Sequence, residues 1–255
     1  IIHLAAYLNI AEAEKKKGKY FKNNVGGTLN LVKACENSDV KSIIFSSSCS
    51  VYGNINGAVK EKHKLKPKSY YAFTKFKSEK IIEKYSSKYD YNYAILRYFN
   101  VAGASPSGKI GEIESSHGHL IKNLAIQYYK KNPRVNIYGN DYNTKDGTCI
   151  RDYIHIMDLA DAHIAAYEYI TKGKAKINIF NIGTGHGTSI LEIIKTFESV
   201  NKFSIQYKYE NRRTGDVPYL VADTNYANEI LNWKSKKKLE EICKDTWRWF
   251  NKNYK

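Results

Sequence analysis

Short apolar runs recur along this chain, each followed by a stretch with helical periodicity. That alternation restricts the possible folds more than any other feature. The runs fall at residues 1–6, 42–47, 92–97, 151–156 and 177–182. Residues 23–38, 70–88, 119–131, 157–172, 188–200 and 238–252 read as helices. Strands rich in isoleucine and valine, separated by helices, belong to a parallel sheet covered by helices on both faces. A doubly wound α/β architecture is therefore expected, in a chain of 255 residues that is long enough for one large domain or a major and a minor one.

Ligands of such sheets bind beyond the carboxyl ends of the strands. Two strand ends carry chemistry: Ser46-Ser47-Ser48 closes one, and Phe99-Asn100 follows another. Tyr71 and Lys75, four residues apart on a predicted helix, share one face. There the ammonium is expected to lower the phenol's pKa toward a useful value, and the Ser48 hydroxyl could bind the same substrate oxygen. This set suits moving a proton on or off an alcohol while hydride leaves its carbon. The chain has 22 tyrosines, yet Tyr71 begins its only Tyr-x-x-x-Lys sequence. Polar stretches at 101–118 and 139–150 are too long for plain connectors and suggest substrate loops or a small second domain.

Gly183-Thr184-Gly185-His186-Gly187 follows a strand and precedes a helix, as a phosphate-binding turn does. Thr188 stands where a third glycine belongs, and no acidic residue follows at the expected distance. A tight turn, with Thr188 or Ser189 capping the next helix, is the reading adopted.

The net charge of +16 raises the question of nucleic acid. The excess is nearly all lysine, without interleaved aromatics, and is read as a solvated surface. No apolar run is long enough for a membrane span, and the start lacks a signal-peptide pattern. Cys35, Cys49, Cys149 and Cys243 form no C-x-x-C pair, and there is no Asn-x-Ser/Thr sequon. A reduced, cytoplasmic setting without metal is expected. The chain does not begin with methionine, its only one being Met157, and it reads as a fragment that starts inside a fold.

The strand, serine triplet, Tyr-x-x-x-Lys helix and following loop occur in the order of the extended short-chain dehydrogenase/reductases. More narrowly, the chain resembles the UDP-glucose 4-epimerase (UDP-galactose 4-epimerase) family. The matching segments are IIHLAA (1–6), NNVGGTLNLV (23–32), FSSSCSVYG (45–53), YAFTK (71–75), LRYFNVAGASPSG (96–108), GNDYNTKDGTCIRDYIHIMDLADAH (139–163) and RRTGDVP (212–218).

The resemblance implies a Rossmann-like doubly wound parallel sheet, N-terminal part missing, with a smaller α+β substrate-binding domain. Residues 1–100 would belong to the NAD-binding domain, with 151–182 returning to it. Residues 101–255 would mainly bind the nucleotide-sugar. Tyr71 would take the O4 proton, Lys75 would tune it and hold the nicotinamide ribose, and Ser48 would bridge to O4. Leu4, Ala5, Ala6, Asn23, Ser46 and Tyr98 would join Tyr71 and Lys75 around the cofactor. Asn100, His119, Leu120, Tyr138, Arg151, Arg213 and Asp216 would join Ser48 around the UDP-sugar. Two guanidinium groups suit a diphosphate, and a carboxylate suits a ribose diol. A homodimer through helices 23–38 and 70–88 is implied too.

The family's glycine-rich turn and acidic ribose ligand lie upstream of the position matched by Ile1. Leu8 stands where the family often has lysine, and Leu220 where many members place tyrosine beside the sugar's C2 substituent. UDP-N-acetylhexosamine and UDP-pentose therefore stay open as substrates. A dehydratase or decarboxylase on this scaffold calls for an acid near the serine run, where Ser48-Cys49-Ser50-Val51 offers none. A non-catalytic nucleotide-sugar-binding protein is the remaining alternative, which the intact Ser48, Tyr71 and Lys75 set argues against.

Overall fold

The computed structural model describes residues 1–113, 119–130, 134–173, 178–213 and 215–253, with Asn37 by its backbone alone. In chain order the strands are β1 (Ile2–His3), β2 (Ser42–Ser48), β3 (Gly57–Val59), β4 (Asn92–Tyr98), β5 (Asn100–Ala102) and β6 (Arg134–Tyr138). They continue as β7 (Ile150–His155), β8 (Ile179–Ile182), β9 (Gly187–Ser189), β10 (Gln206–Glu210) and β11 (Tyr219–Ala222). The helices are α1 (Ile10–Lys15), α2 (Lys17–Tyr20), α3 (Gly27–Ala34), α4 (Tyr70–Tyr89) and α5 (Leu120–Gln127). After them come α6 (Ile156–Thr171), α7 (Ile190–Asn201), α8 (Asn225–Leu231) and α9 (Leu239–Asn253). A π-helical turn, Phe21–Gly26, feeds α3.

Strands β1, β2, β4 and β8 form a parallel sheet in that order. Side chains alternate across a strand, so each strand supplies two cores. Ile44, Ala94 and Leu96 pack with Leu159, Ala162 and Ala166 of α6 on one face. Ile43, Phe45 and Ile95 pack with Val32 of α3 and Ile82 of α4 on the other. This is the doubly wound arrangement expected from the uninterrupted apolar runs.

Beyond Tyr98 the chain steps at Phe99 into a second sheet, β3-β11-β7-β5, all parallel, with β9 antiparallel to β7. Strand β7 therefore sits in the second sheet, while α6 and β8 after it return to the first. A third unit pairs β6 with β10 under α5, α7 and α9, around Ile121, Leu124, Ile194, Phe197 and Phe250. Both sheets and this helical unit meet at the carboxyl ends of β2 and β4.

The ends of the expected strand 177–182, helix 119–131 and loop 101–118 fall partly outside the described residues. Expected helix 23–38 begins as the π-turn and ends in a 3₁₀ turn, Cys35–Asn37. The π-turn makes room for Asn24, whose side chain donates to Thr74 Oγ1 (3.0 Å) and to the Tyr7 carbonyl (3.1 Å). Among the described residues no helix is long and apolar enough to cross a membrane.

Candidate active site

A cleft of about 1190 Å³ opens where β2 and β4 end, larger than a single small-ligand pocket needs. Helix α4 delivers Tyr71 to its edge. The Ser69 hydroxyl accepts from Ala72 N (3.1 Å) and fixes the helix start two residues before the tyrosine. Strand β2 delivers Ser48 from the opposite side. Its hydroxyl oxygen accepts from Ser50 N (3.2 Å) and the Ser50 hydroxyl (2.9 Å), which hold it at the strand end.

Lys75 lies one turn below Tyr71, 2 % exposed, and donates to the Ser46 carbonyl at 2.6 Å. Burial pushes its pKa down to about 8, against the pull of the Glu79 carboxylate. Burial also pushes the Tyr71 phenol up, and contact with the Ser48 hydroxyl opposes the rise. The expected lowering of Tyr71 by Lys75 is thus not what the structure shows. The ammonium is aimed at a backbone carbonyl, and desolvation dominates the phenol.

Behind these groups lies a polar network that the sequence reading did not identify. Ser47 donates to Glu79, and Arg97 grips the same carboxylate through Nε (3.0 Å) and Nη2 (2.8 Å). Arg97 also donates to Tyr52 Oη (2.9 Å), which donates to Asn181 Oδ1 (2.7 Å). Tyr98 meets His163 Nε2 at 2.5 Å. The signals were present: an arginine inside the buried run of β4 requires a counter-charge, and Glu79 continues the Tyr71–Lys75 face by one more turn.

The substrate-side residues converge on the same cleft, which Ser46, Ser48, Tyr71, Tyr98, Asn100, His119, Leu120, Tyr138, Arg151, Arg213 and Asp216 all line. Arg213 stacks on Tyr138 at 3.9 Å from the ring centre. Arg151 donates to Asp216 Oδ1 (3.2 Å) and to the Val217 carbonyl (2.8 Å). Asn100 donates to the Asp152 carbonyl (3.0 Å), and His119 pairs with Glu112 at 3.0 Å. Leu4 lines the cleft, but Ala5, Ala6, Asn23 and the buried Lys75 do not. Asn23 is exposed, with its amide on Asn24. Leu220 is turned into a small core with Val51, Tyr52 and Phe99 instead of lining the cleft.

The glycine turn at 183–187 wraps a protein carboxylate. Buried Asp152 accepts from Thr184 N (2.8 Å), Thr184 Oγ1 (2.7 Å), Gly185 N (3.0 Å) and Ala222 N (3.2 Å). A side chain at Gly183 would stand 2.5 Å from Asp152 Oδ2. Ser189 then caps α7 in a reciprocal box with Glu192.

The groups present fit a pyridine dinucleotide. Lys75, just beneath the cleft floor, has three N–H donors with one committed to the Ser46 carbonyl, which leaves donor capacity suited to hydroxyl groups. Ile2, Leu4 and Leu8 provide an apolar wall suited to a flat ring. Among the described residues, no group of three or more His, Cys, Asp or Glu is placed to hold a metal ion.

Residues 1–183 match the NAD dependent epimerase/dehydratase family. The chain belongs to that family. It is 40% identical over 251 residues to the UDP-glucose 4-epimerase of Lactobacillus helveticus, covering 98% of this chain and 76% of the relative. Among solved structures, it is similar to a UDP-glucose-4-epimerase from Stenotrophomonas maltophila with bound NAD and formylated UDP-arabinopyranose. The TM-score is 0.94 at 35% identity, covering 98% of this chain and 75% of that one. The Bifidobacterium longum UDP-glucose 4-epimerase in complex with NAD+ and UDP gives 0.90 at 35% identity, covering 99% and 76%. In this epimerase/dehydratase scaffold the order of Ser48, Tyr71 and Lys75 along the chain becomes a single site in space.

Proposed function

We propose that this chain interconverts UDP-galactose and UDP-glucose by NAD-dependent epimerisation at C4. The observation that carries the reading is the meeting of Tyr71 and Ser48 at the end of β2, with Lys75 locked directly beneath. Tyr71 takes the proton from the sugar O4 and returns it, Ser48 binds that oxygen, and Lys75 holds ribose hydroxyls. NAD, when bound, accepts the C4 hydride and gives it back. Inversion requires the 4-keto sugar to present its other face, so the sugar must be held loosely and the nucleotide firmly. The distribution of charge suits this: Arg151, Arg213 and Asp216 stand on the nucleotide side, while Ser48 and Asn100, both neutral, stand on the sugar side.

Incubating the intact protein with UDP-galactose and NAD, with UDP-glucose read by a coupled dehydrogenase, tests the reading. Product formation that drops by about 10²–10⁴ in Tyr71→Phe supports it. No interconversion by the wild type with NAD supplied would sink it. UDP-N-acetylgalactosamine and a UDP-pentose run in parallel decide the substrate range.

A homodimer through α3 and α4 is part of the same proposal. These helices cover one face of the first sheet, and Leu31, Ile81, Tyr85 and Tyr89 on them stay only partly buried. Sedimentation equilibrium at one chain mass would remove it. All four cysteines are unpaired, which supports a cytoplasmic setting.

A further inference from the structure

His163 lies on α6, nearly buried, and lines the cleft behind Tyr98. Its Nδ1 is 2.8 Å from the Leu159 carbonyl oxygen. A carbonyl only accepts, so Nδ1 carries the ring proton. Nε2 of the neutral ring is then an acceptor, and Tyr98 Oη stands 2.5 Å from it. The Tyr98 hydroxyl therefore donates to the histidine. Burial pushes His163 below its ordinary pKa, which keeps this neutral form in place near pH 7. Tyr98 is also close enough to Tyr71 and to the Ser46 hydroxyl for both to act on its own ionisation.

We propose that His163 is a positioning residue for the reaction, which accepts the hydrogen bond of the Tyr98 hydroxyl and so leaves the Tyr98 oxygen only an acceptor toward the cleft, beside Tyr71. This rests on the reading of the cleft as an NAD site. The group selected is an N–H donor, and NAD carries a primary carboxamide on its nicotinamide ring. With no acceptor at position 163, the Tyr98 hydroxyl turns its proton toward the cleft. It then presents a donor to a donor.

The test uses the intact protein and the variants His163→Gln, His163→Leu, Tyr98→Phe and the double variant Tyr98→Phe/His163→Leu, each checked for folding by circular dichroism. The glutamine oxygen replaces Nε2 as an acceptor, whereas leucine fills the space without one. NAD affinity is read by tryptophan fluorescence, apart from turnover. His163→Leu is expected to bind NAD about three- to tenfold more weakly, as for one lost hydrogen bond, with His163→Gln within about twofold of wild type. In the Tyr98→Phe background, His163→Leu should add nothing.

Equal losses in the glutamine and leucine variants, or additive losses in the double variant, overturn the proposal, since His163 then acts by packing alone. ¹⁵N NMR of the ligand-free wild type reads the tautomer directly. A proton on Nδ1 is expected, and one on Nε2 overturns the proposal whatever the activity. Wild-type protein that shows the Nδ1 tautomer but binds no NAD overturns the cofactor reading, and with it the selected donor.

Discussion

Arg97 and Glu79 form a bidentate ion pair with side chains 2% and 0% exposed, directly behind the serine run. The pair ties β4 to α4, and through Ser47 it ties both to β2. Three elements that carry Tyr98, Tyr71 and Ser48 are thereby held in one register. Removing one charge leaves the other buried and unpaired. Arg97→Met should cost about 3–5 kcal/mol in urea unfolding, and Arg97→Met/Glu79→Leu markedly less. A double variant as unstable as the sum of the singles would show that the two charges are not coupled.

Adjacent serines should separate by function. Both serines line the cleft, but Ser47 Oγ is committed to the buried Glu79, whereas Ser48 Oγ only accepts from Ser50 at the strand end. Ser48→Ala should lower kcat by about 10- to 100-fold, the loss of one positioned hydrogen bond to a developing charge, with stability within about 0.5 kcal/mol of wild type. Ser47→Ala should instead lower stability by about 1–3 kcal/mol, because a buried carboxylate loses a donor. Paired kinetic and denaturation measurements check this, and identical profiles for the two variants would contradict it.

Lys75 links the site to alkaline pH. In the folded chain it gives up its proton at about 8, against 10.5 as the ordinary value. Between those limits the unfolded chain binds more protons than the folded one, so stability rises with pH. Below about pH 8 both states are charged, and the folded state carries the full desolvation cost. Relative to Lys75→Met, the wild type should therefore gain about 3 kcal/mol from pH 8 to 10.5. Parallel stability curves for the two proteins over that window would refute the shift.

The first sheet was legible because its strands are apolar on both sides. Ile43, Ile44 and Phe45 need no partner information to be read as buried. Of the second sheet only β7 was legible, as the run 151–156; its other strands and the β6–β10 pair were not, because they are short and largely half exposed. Gln206–Glu210 carries Tyr207, Lys208 and Tyr209, and looks like surface loop until β6 is set beside it. That Tyr71 and Lys75 share a helix face could be read from their spacing, but not the direction in which Lys75 points. That direction depends on the Ser46 carbonyl, 29 residues away in the chain. Asp152 likewise carries no sign in the sequence of its partners, the backbone of the glycine turn 32 and 33 residues on, which its carboxylate shapes.

The arginine-lined side of the cleft yields the last prediction. Arg151 spends one donor on Asp216 and others on backbone carbonyls, while Arg213 lies exposed over Tyr138. Arg213 is therefore the more readily offered cation, and Arg151 the more rigid one. Arg213→Ala should weaken UDP binding by about 10- to 100-fold, through loss of charge-assisted hydrogen bonds worth about 1.5–3 kcal/mol. Asp216→Asn removes the charge that competes for Arg151, but also an acceptor for a ribose diol. Its UDP affinity should fall less than that of Arg213→Ala, and its affinity for inorganic pyrophosphate should rise. Titration calorimetry with both ligands separates the two contributions. Weaker pyrophosphate binding by Asp216→Asn would show that the carboxylate positions Arg151 for the phosphates instead of competing with them.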